Sequence, residues 1–94
     1  MKTKKKIIDA HSVDVNVGKR IKEFRRSKGM TQKDVGKHIG VRFQQIQKYE
    51  SALNRVSAGK LFMIAKLLEV DIADLFEEGS KSDKGNQAKV KRKK

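Results

Sequence analysis

Apolar residues recur at helical spacing along most of this chain, and the places where the spacing resets divide it into segments. Val17, Ile21 and Phe24 stand at i, i+4 and i+7, one face of an amphipathic helix. They predict a first helix over about 15–28, with Asp14 as its N-cap and Lys28-Gly29 as its end. Met30 is expected to fold into the core. Val35 and Ile39, four apart, share one helical face; Ile46 and Tyr49, three apart, share another. Gly40 and Val41 lie between the pairs, and glycine most easily adopts the left-handed conformation that ends a helix. The pattern therefore predicts a second helix over about 32–39, capped by Thr31 with Asp34 as its capping-box partner, and a third over about 43–50. Leu53 and Val56 are expected to pin the following loop to the core. Leu61, Ile64, Ala65 and Leu68 predict a fourth helix over about 58–68 behind Ser57. Ile72, Leu75 and Phe76 predict a short fifth helix over about 72–77 behind Asp71, and Gly79 ends the fold.

Gly36 sits in the middle of the second helix, where glycine costs about 1 kcal/mol relative to alanine. A close approach by the third helix is the simplest reason to tolerate it. Two short helices crossing at ~90–120° over a tight turn form a helix-turn-helix unit. At about 100° per residue, the third helix turns Ile46, Tyr49 and the following Leu53 inward. Gln44, Gln47 and Lys48 then point outward, with Phe43 and Gln45 on the flanks. An outward Gln amide offers a donor and an acceptor, matching adenine N6 and N7 in the major groove of DNA. Lys48 can reach guanine acceptors or a phosphate, and Phe43 can pack on a thymine methyl. Thr31 and Gln32 open the second helix, whose free N–H groups and positive dipole end favour an anion.

Charge sharpens this picture. The chain has 24 Lys and Arg against 11 Asp and Glu, a formal +13 over 94 residues. Residues 1–6 carry four Lys and no acid, and residues 79–94 carry seven Lys or Arg and one Asp. Between them, residues 19–60 hold +9 and residues 61–78 hold −4. A basic body with an acidic end suits a polyanion on one side and a different contact on the other. The length suits one small domain. The expected organisation is a disordered basic arm over 1–12, a helical domain over 13–79 and a disordered basic tail over 80–94.

Other chemistry finds little support in these residues. There is no Cys, so no disulfide framework or thiolate metal site is possible. His11 lies in the arm and His38 on an exposed part of the second helix; they form no metal constellation. No Gly-rich phosphate loop, nucleophile with a base at useful spacing, or clustered carboxylate pair is present, so neither an enzyme nor a cofactor is expected. The longest apolar runs are only a few residues, so no membrane span is expected, and Ile7-Ile8 is too short for a signal-peptide core. The expected location is cytoplasmic, at the nucleoid.

Taken together, these residues resemble the helix-turn-helix domain of the phage-repressor and Cro type, also called the xenobiotic-response-element family. The resemblance is carried by Thr31-Gln32, Gly36, Ile39-Gly40-Val41, Ile46, Tyr49 and Glu50, and continues through Asn54-Arg55-Val56-Ser57 to Phe76. It covers roughly Val17 to Glu78. One position departs from the family. Arg42 stands at the N-cap of the third helix, where Ser or Thr is usual, and Arg cannot accept the amide bond a cap supplies.

The resemblance implies a compact, all-α, five-helix repressor-like domain. It implies base contacts by Arg42, Phe43, Gln44 and Lys48, to which the outward direction of Gln47 adds a fifth. It implies phosphate contacts by Gln32, Asn54 and Arg55, with Thr31 beside Gln32. It also implies an Arg25–Glu50 pair joining the first helix to the third, structural and not catalytic. The expected function is sequence-specific binding of double-stranded DNA by a homodimeric transcriptional regulator, a repressor by family. The acidic, apolar end with Ile72, Leu75 and Phe76 is expected to form the two-fold contact, some of these side chains also anchoring the core. Two other readings stay open. One is a protein-interaction module, such as an antitoxin held by its toxin. The other is a nonspecific nucleic-acid-binding protein driven by the basic tails.

Overall fold

The structure is a computed structural model and describes residues 9–77. The basic tail, Gly79 and the first eight residues of the arm lie outside the described residues. Four α-helices follow one another, α1 (Ala10–Ser27), α2 (Gln32–Ile39), α3 (Phe43–Glu50) and α4 (Ala58–Leu68), and a 3-10 helix (Ile72–Phe76) ends the series. The second, third and fourth helices have the bounds their apolar spacing predicts. The fifth is a 3-10 helix and not an α-helix. Its span, Ile72–Phe76, is too short to gain much from the wider α geometry.

The first helix differs at its start. Asp9, not Asp14, is the N-cap, and its Oδ1 accepts from the Ser12 amide at 2.8 Å. Residues 10–12, expected in the unstructured arm, are the first turn of α1. Val13 is half-buried against the core and extends the Val17–Ile21 stripe back by one turn. Asp14 is therefore inside the helix.

Ile21, Val35, Ile46, Ile64 and Leu75 are fully enclosed, with Val17, Ile39, Tyr49, Leu61, Ala65 and Leu68 around them. Phe24, Met30, Val41 and Val56 pack against their edge. Leu53 does not join them. Ala52 adopts a left-handed φ of 64°, and the Leu53 and Asn54 amides both donate to the Lys48 carbonyl oxygen. This tight reversal sends Leu53 outward, 73% exposed.

Two glycines allow backbones to meet. A Cβ at Gly36 would lie 2.5 Å from the Val41 carbonyl oxygen, so the close neighbour is the turn before α3 and not α3 itself. A Cβ at Gly18 would lie 2.6 Å from the carbonyl oxygens of both Tyr49 and Glu50. Gly18 thus lets α1 rest directly on the end of α3. About two turns further along α1, Arg25 grips the same end. Its Nε donates to Glu50 Oε2 at 2.7 Å and its Nη2 to Oε1 at 3.2 Å, both groups buried. Its Nη1 donates to the Met30 carbonyl at 2.8 Å. The expected ion pair is present.

Polar ties complete the packing. The buried Arg20 donates from Nε to the Asp74 carbonyl at 3.0 Å and lies 4.6 Å over the Phe24 ring, holding the 3-10 helix to α1. Asn16 donates to the Phe76 carbonyl at 2.9 Å. Lys60 Nζ donates to the Ile39 carbonyl at 3.1 Å, satisfying a free carbonyl at the end of α2.

The packing generates stability predictions. Gly18→Ala should destabilise the domain by about 1–3 kcal/mol, because the obstructing atoms are backbone. Gly59→Ala meets open space in α4 and should stabilise by about 0.4–1 kcal/mol. Urea unfolding followed by circular dichroism separates the two signs. Glu50→Ala should cost about 3–5 kcal/mol by stranding the buried Arg25 cation. The Arg25→Met/Glu50→Met pair should recover most of that loss in the same titration; no recovery would show that the charges themselves are required.

Candidate nucleic-acid interface

The α2–turn–α3 unit is built from its caps. Thr31 Oγ1 accepts from the Asp34 amide at 3.0 Å, and the Thr31 amide donates to Asp34 Oδ2 at 2.8 Å. The bond from the Thr31 amide and then that with its hydroxyl hold the Asp34 carboxyl below its usual range. The carboxylate's share of the cap is therefore complete above the ordinary carboxylate range, and lost as pH falls through the lowered value. Gly40 ends α2 with φ 79°, and the Val41 amide donates to the Gly36 carbonyl at 2.9 Å. Arg42 opens α3 with no side-chain cap bond, as its chemistry requires, and its side chain is exposed.

One face of α3 is locked and the other is open. Ile46, Tyr49 and Glu50 are buried. Arg42, Phe43, Gln44, Gln47 and Lys48 are exposed. Gln47 and Lys48 share a concavity with Gln32, Lys22 and Leu53. Arg42, Gln44 and Lys48 share a second with Gln45. Lys48 belongs to both, so Arg42, Gln44, Gln47 and Lys48 form one continuous surface that reaches Gln32 at the start of α2, while Phe43 is exposed but lines neither concavity. Gln32 is anchored there, its Nε2 donating to Glu50 Oε1 at 3.0 Å. Thr31, at the cap beside it, is exposed, with its hydroxyl engaged by Asp34.

Asn54 and Arg55 lie apart from that surface. They border a small notch with Asp14, Val56, Leu61 and Phe76. Arg55 Nε donates to Asp14 Oδ2 at 2.9 Å, and Asn54 Oδ1 accepts from Gln45 Nε2 at 3.2 Å. Of the three side chains expected at a two-fold contact, Leu75 is fully enclosed in the core and unavailable. Ile72 and Phe76 are 41% and 48% exposed. His11 is exposed, and the exposed His38 has Nδ1 3.0 Å from the Asp34 carbonyl oxygen.

Three features of the site escaped sequence reasoning. Lys22 faces the same concavity as Gln32, and Leu53 forms part of its wall. Asp14 engages Arg55. Lys22 was readable in principle: Gly18, Lys22 and Arg25 stand at i, i+4 and i+7, so the stripe that meets α3 includes it. Leu53 and Asp14 carried no such signal, since each depends on the turn after α3.

Comparison with known proteins agrees with this arrangement. The helix-turn-helix family model matches residues 21–75. The chain is 49% identical over 74 residues to the uncharacterized HTH-type transcriptional regulator y4aM of Sinorhizobium fredii, covering 79% of this chain and 52% of that protein. It spans about half the length of the first curated relatives it matches. The restriction-modification controller protein C.AhdI of Aeromonas hydrophila superposes with a TM-score of 0.68 at 25% identity, over 73% of this chain and all (100%) of that one. The biofilm master regulator SinR, solved in complex with DNA, superposes with a TM-score of 0.60 at 26% identity, over 65% of this chain and 98% of that one. An all-helical chain with this capped turn, this buried pair and these relatives belongs to the phage-repressor and Cro-type helix-turn-helix family of transcriptional regulators.

Proposed function

We propose that this chain binds double-stranded DNA sequence-specifically, as a homodimeric transcriptional repressor that reads the major groove with α3. The observation that carries the reading is the division of α3 into a locked face and an exposed one. Ile46, Tyr49 and Glu50 hold the helix still, and Arg42, Phe43, Gln44, Gln47 and Lys48 stand free on the other side. Side chains on the first turns of a docked helix meet base edges, and a fixed backbone keeps them in register. Thr31, Gln32, Asn54 and Arg55 are assigned to phosphates, which position a duplex without reading it. The DNA complex of SinR supports the partner. Such a regulator works in the cytoplasm, at the nucleoid.

Specificity needs two copies, because one α3 spans few base pairs and paired half-sites lie about 34 Å apart. With Leu75 enclosed, the two-fold contact falls to Ile72 and Phe76. Phe76→Asp, folded by circular dichroism, should sediment as a monomer where the wild type sediments as a dimer. A wild-type chain that stays monomeric even on its DNA site would sink the dimer.

Gln44 and Arg55 separate base reading from phosphate contact. Gln44→Ala should keep the melting temperature and lose about 1–3 kcal/mol of discrimination at one base pair in each half-site. Arg55→Ala should weaken all duplexes together. The measurement is a panel of single-base changes in a duplex selected from random sequence. An unchanged ranking for Gln44→Ala would mean that α3 does not read bases, and the protein-interaction reading would replace this one.

A further inference from the structure

We propose that Asp14 is a built-in competitor for Arg55, holding its guanidinium until a DNA phosphate displaces the carboxylate. The inference rests on the DNA-binding reading above. Arg55 Nε donates to Asp14 Oδ2 at 2.9 Å across a separation of 41 residues. The two ends are unequal. The Asp14 side chain is 27% exposed and fixed within α1, whereas that of Arg55 is 71% exposed on the loop after α3. The carboxylate is the stationary partner and the guanidinium the one free to swing.

An exposed pair of this kind is weak, and a phosphate offers the same guanidinium a charged, bidentate alternative. Exchange leaves Asp14 as a bare carboxylate facing the phosphate backbone. That repulsion is the same for every duplex, because the backbone carries no sequence information. Asp14 therefore lowers affinity for all DNA without changing which site is preferred. Asn54 behaves differently. Gln45 holds its oxygen, which leaves the NH2 group available to a phosphate with no bond to break. Of the two loop residues assigned to the backbone, Arg55 alone is restrained by an anion of the same fold.

The test compares the 94-residue wild type, Asp14→Asn, Asp14→Ser, Arg55→Ala and Asp14→Asn/Arg55→Ala. Each is titrated onto a duplex selected from random sequence and onto its scrambled version. Both Asp14 variants should bind both duplexes about two- to fivefold more tightly, the ratio between duplexes unchanged. The gain should shrink in the Arg55→Ala background, where the competition is gone and only the repulsion by the bare carboxylate is left to relieve. The serine variant keeps the test alive if asparagine disturbs α1. Weaker or unchanged binding by folded Asp14 variants overturns the inference, as does a gain that survives in full without Arg55. Wild-type protein that binds neither duplex overturns the DNA-binding reading itself, a result distinct from tight wild-type binding with no effect at Asp14.

Discussion

The direction of α3 depends on one buried ion pair. Arg25 and Glu50 bond twice, and the other polar atoms around them are also used: the Met30 carbonyl takes Nη1, and the Gln32 amide takes a second bond to Oε1. A buried pair is tolerable only when its spare donors and acceptors are satisfied in this way, since desolvation otherwise outweighs attraction. The pair works with Gly18, where the absent side chain admits the carbonyls of Tyr49 and Glu50. One contact sets how close α1 and α3 come, and the other sets how far α3 is rolled. With Glu50 held inward, Gln44, Gln47 and Lys48 can only face out.

The same pair links architecture to the candidate interface. Gln32 shares the Glu50 carboxylate with Arg25, so the first residue of α2 and the last of α3 are positioned by one group. The backbone that carries Arg42, Gln44, Lys48, Gln47 and Gln32 is consequently prearranged, and of these side chains Gln32 is held as well. On the other flank the loop after α3 is held more loosely, by exposed bonds from Arg55 to Asp14 and from Gln45 to Asn54. On the proposed function, a firmly held α3 would read sequence while this looser loop exchanged its partners for phosphates.

A small core needs help from polar ties, and two of them here come from cations. Arg20 holds the 3-10 helix to α1, and Lys60 closes the end of α2. Some of the basic residues that make residues 19–60 so positive are therefore structural. Charge counted along the chain therefore overstates what stands at the candidate interface, where Lys22, Arg42 and Lys48 are the exposed cations lining the two concavities.

The helices at the centre of the fold were legible in the sequence because local chemistry specifies them. The Thr31–Asp34 cap, the left-handed Gly40 and the i, i+3 and i+4 apolar spacing each act over a few residues. The Arg25–Glu50 pair was legible only through family resemblance, since no local rule joins residues 25 apart. The start of α1 was misread because Asp9 and Asp14 are equally good caps, and only Val13 packing against the core decides between them. Leu53 was misread because periodicity cannot anticipate the left-handed Ala52 that ends it. Whether Leu75 belonged to the core or to a partner, and that Arg55 meets Asp14, were decided by tertiary structure alone. Both depend on where α1, the loop and the 3-10 helix converge. The sequence by itself determined which segments are helical and which face of each is apolar, because those follow from nearest-neighbour geometry. Which exposed side chains share a surface, and which are already engaged, arises only when distant segments are brought into contact.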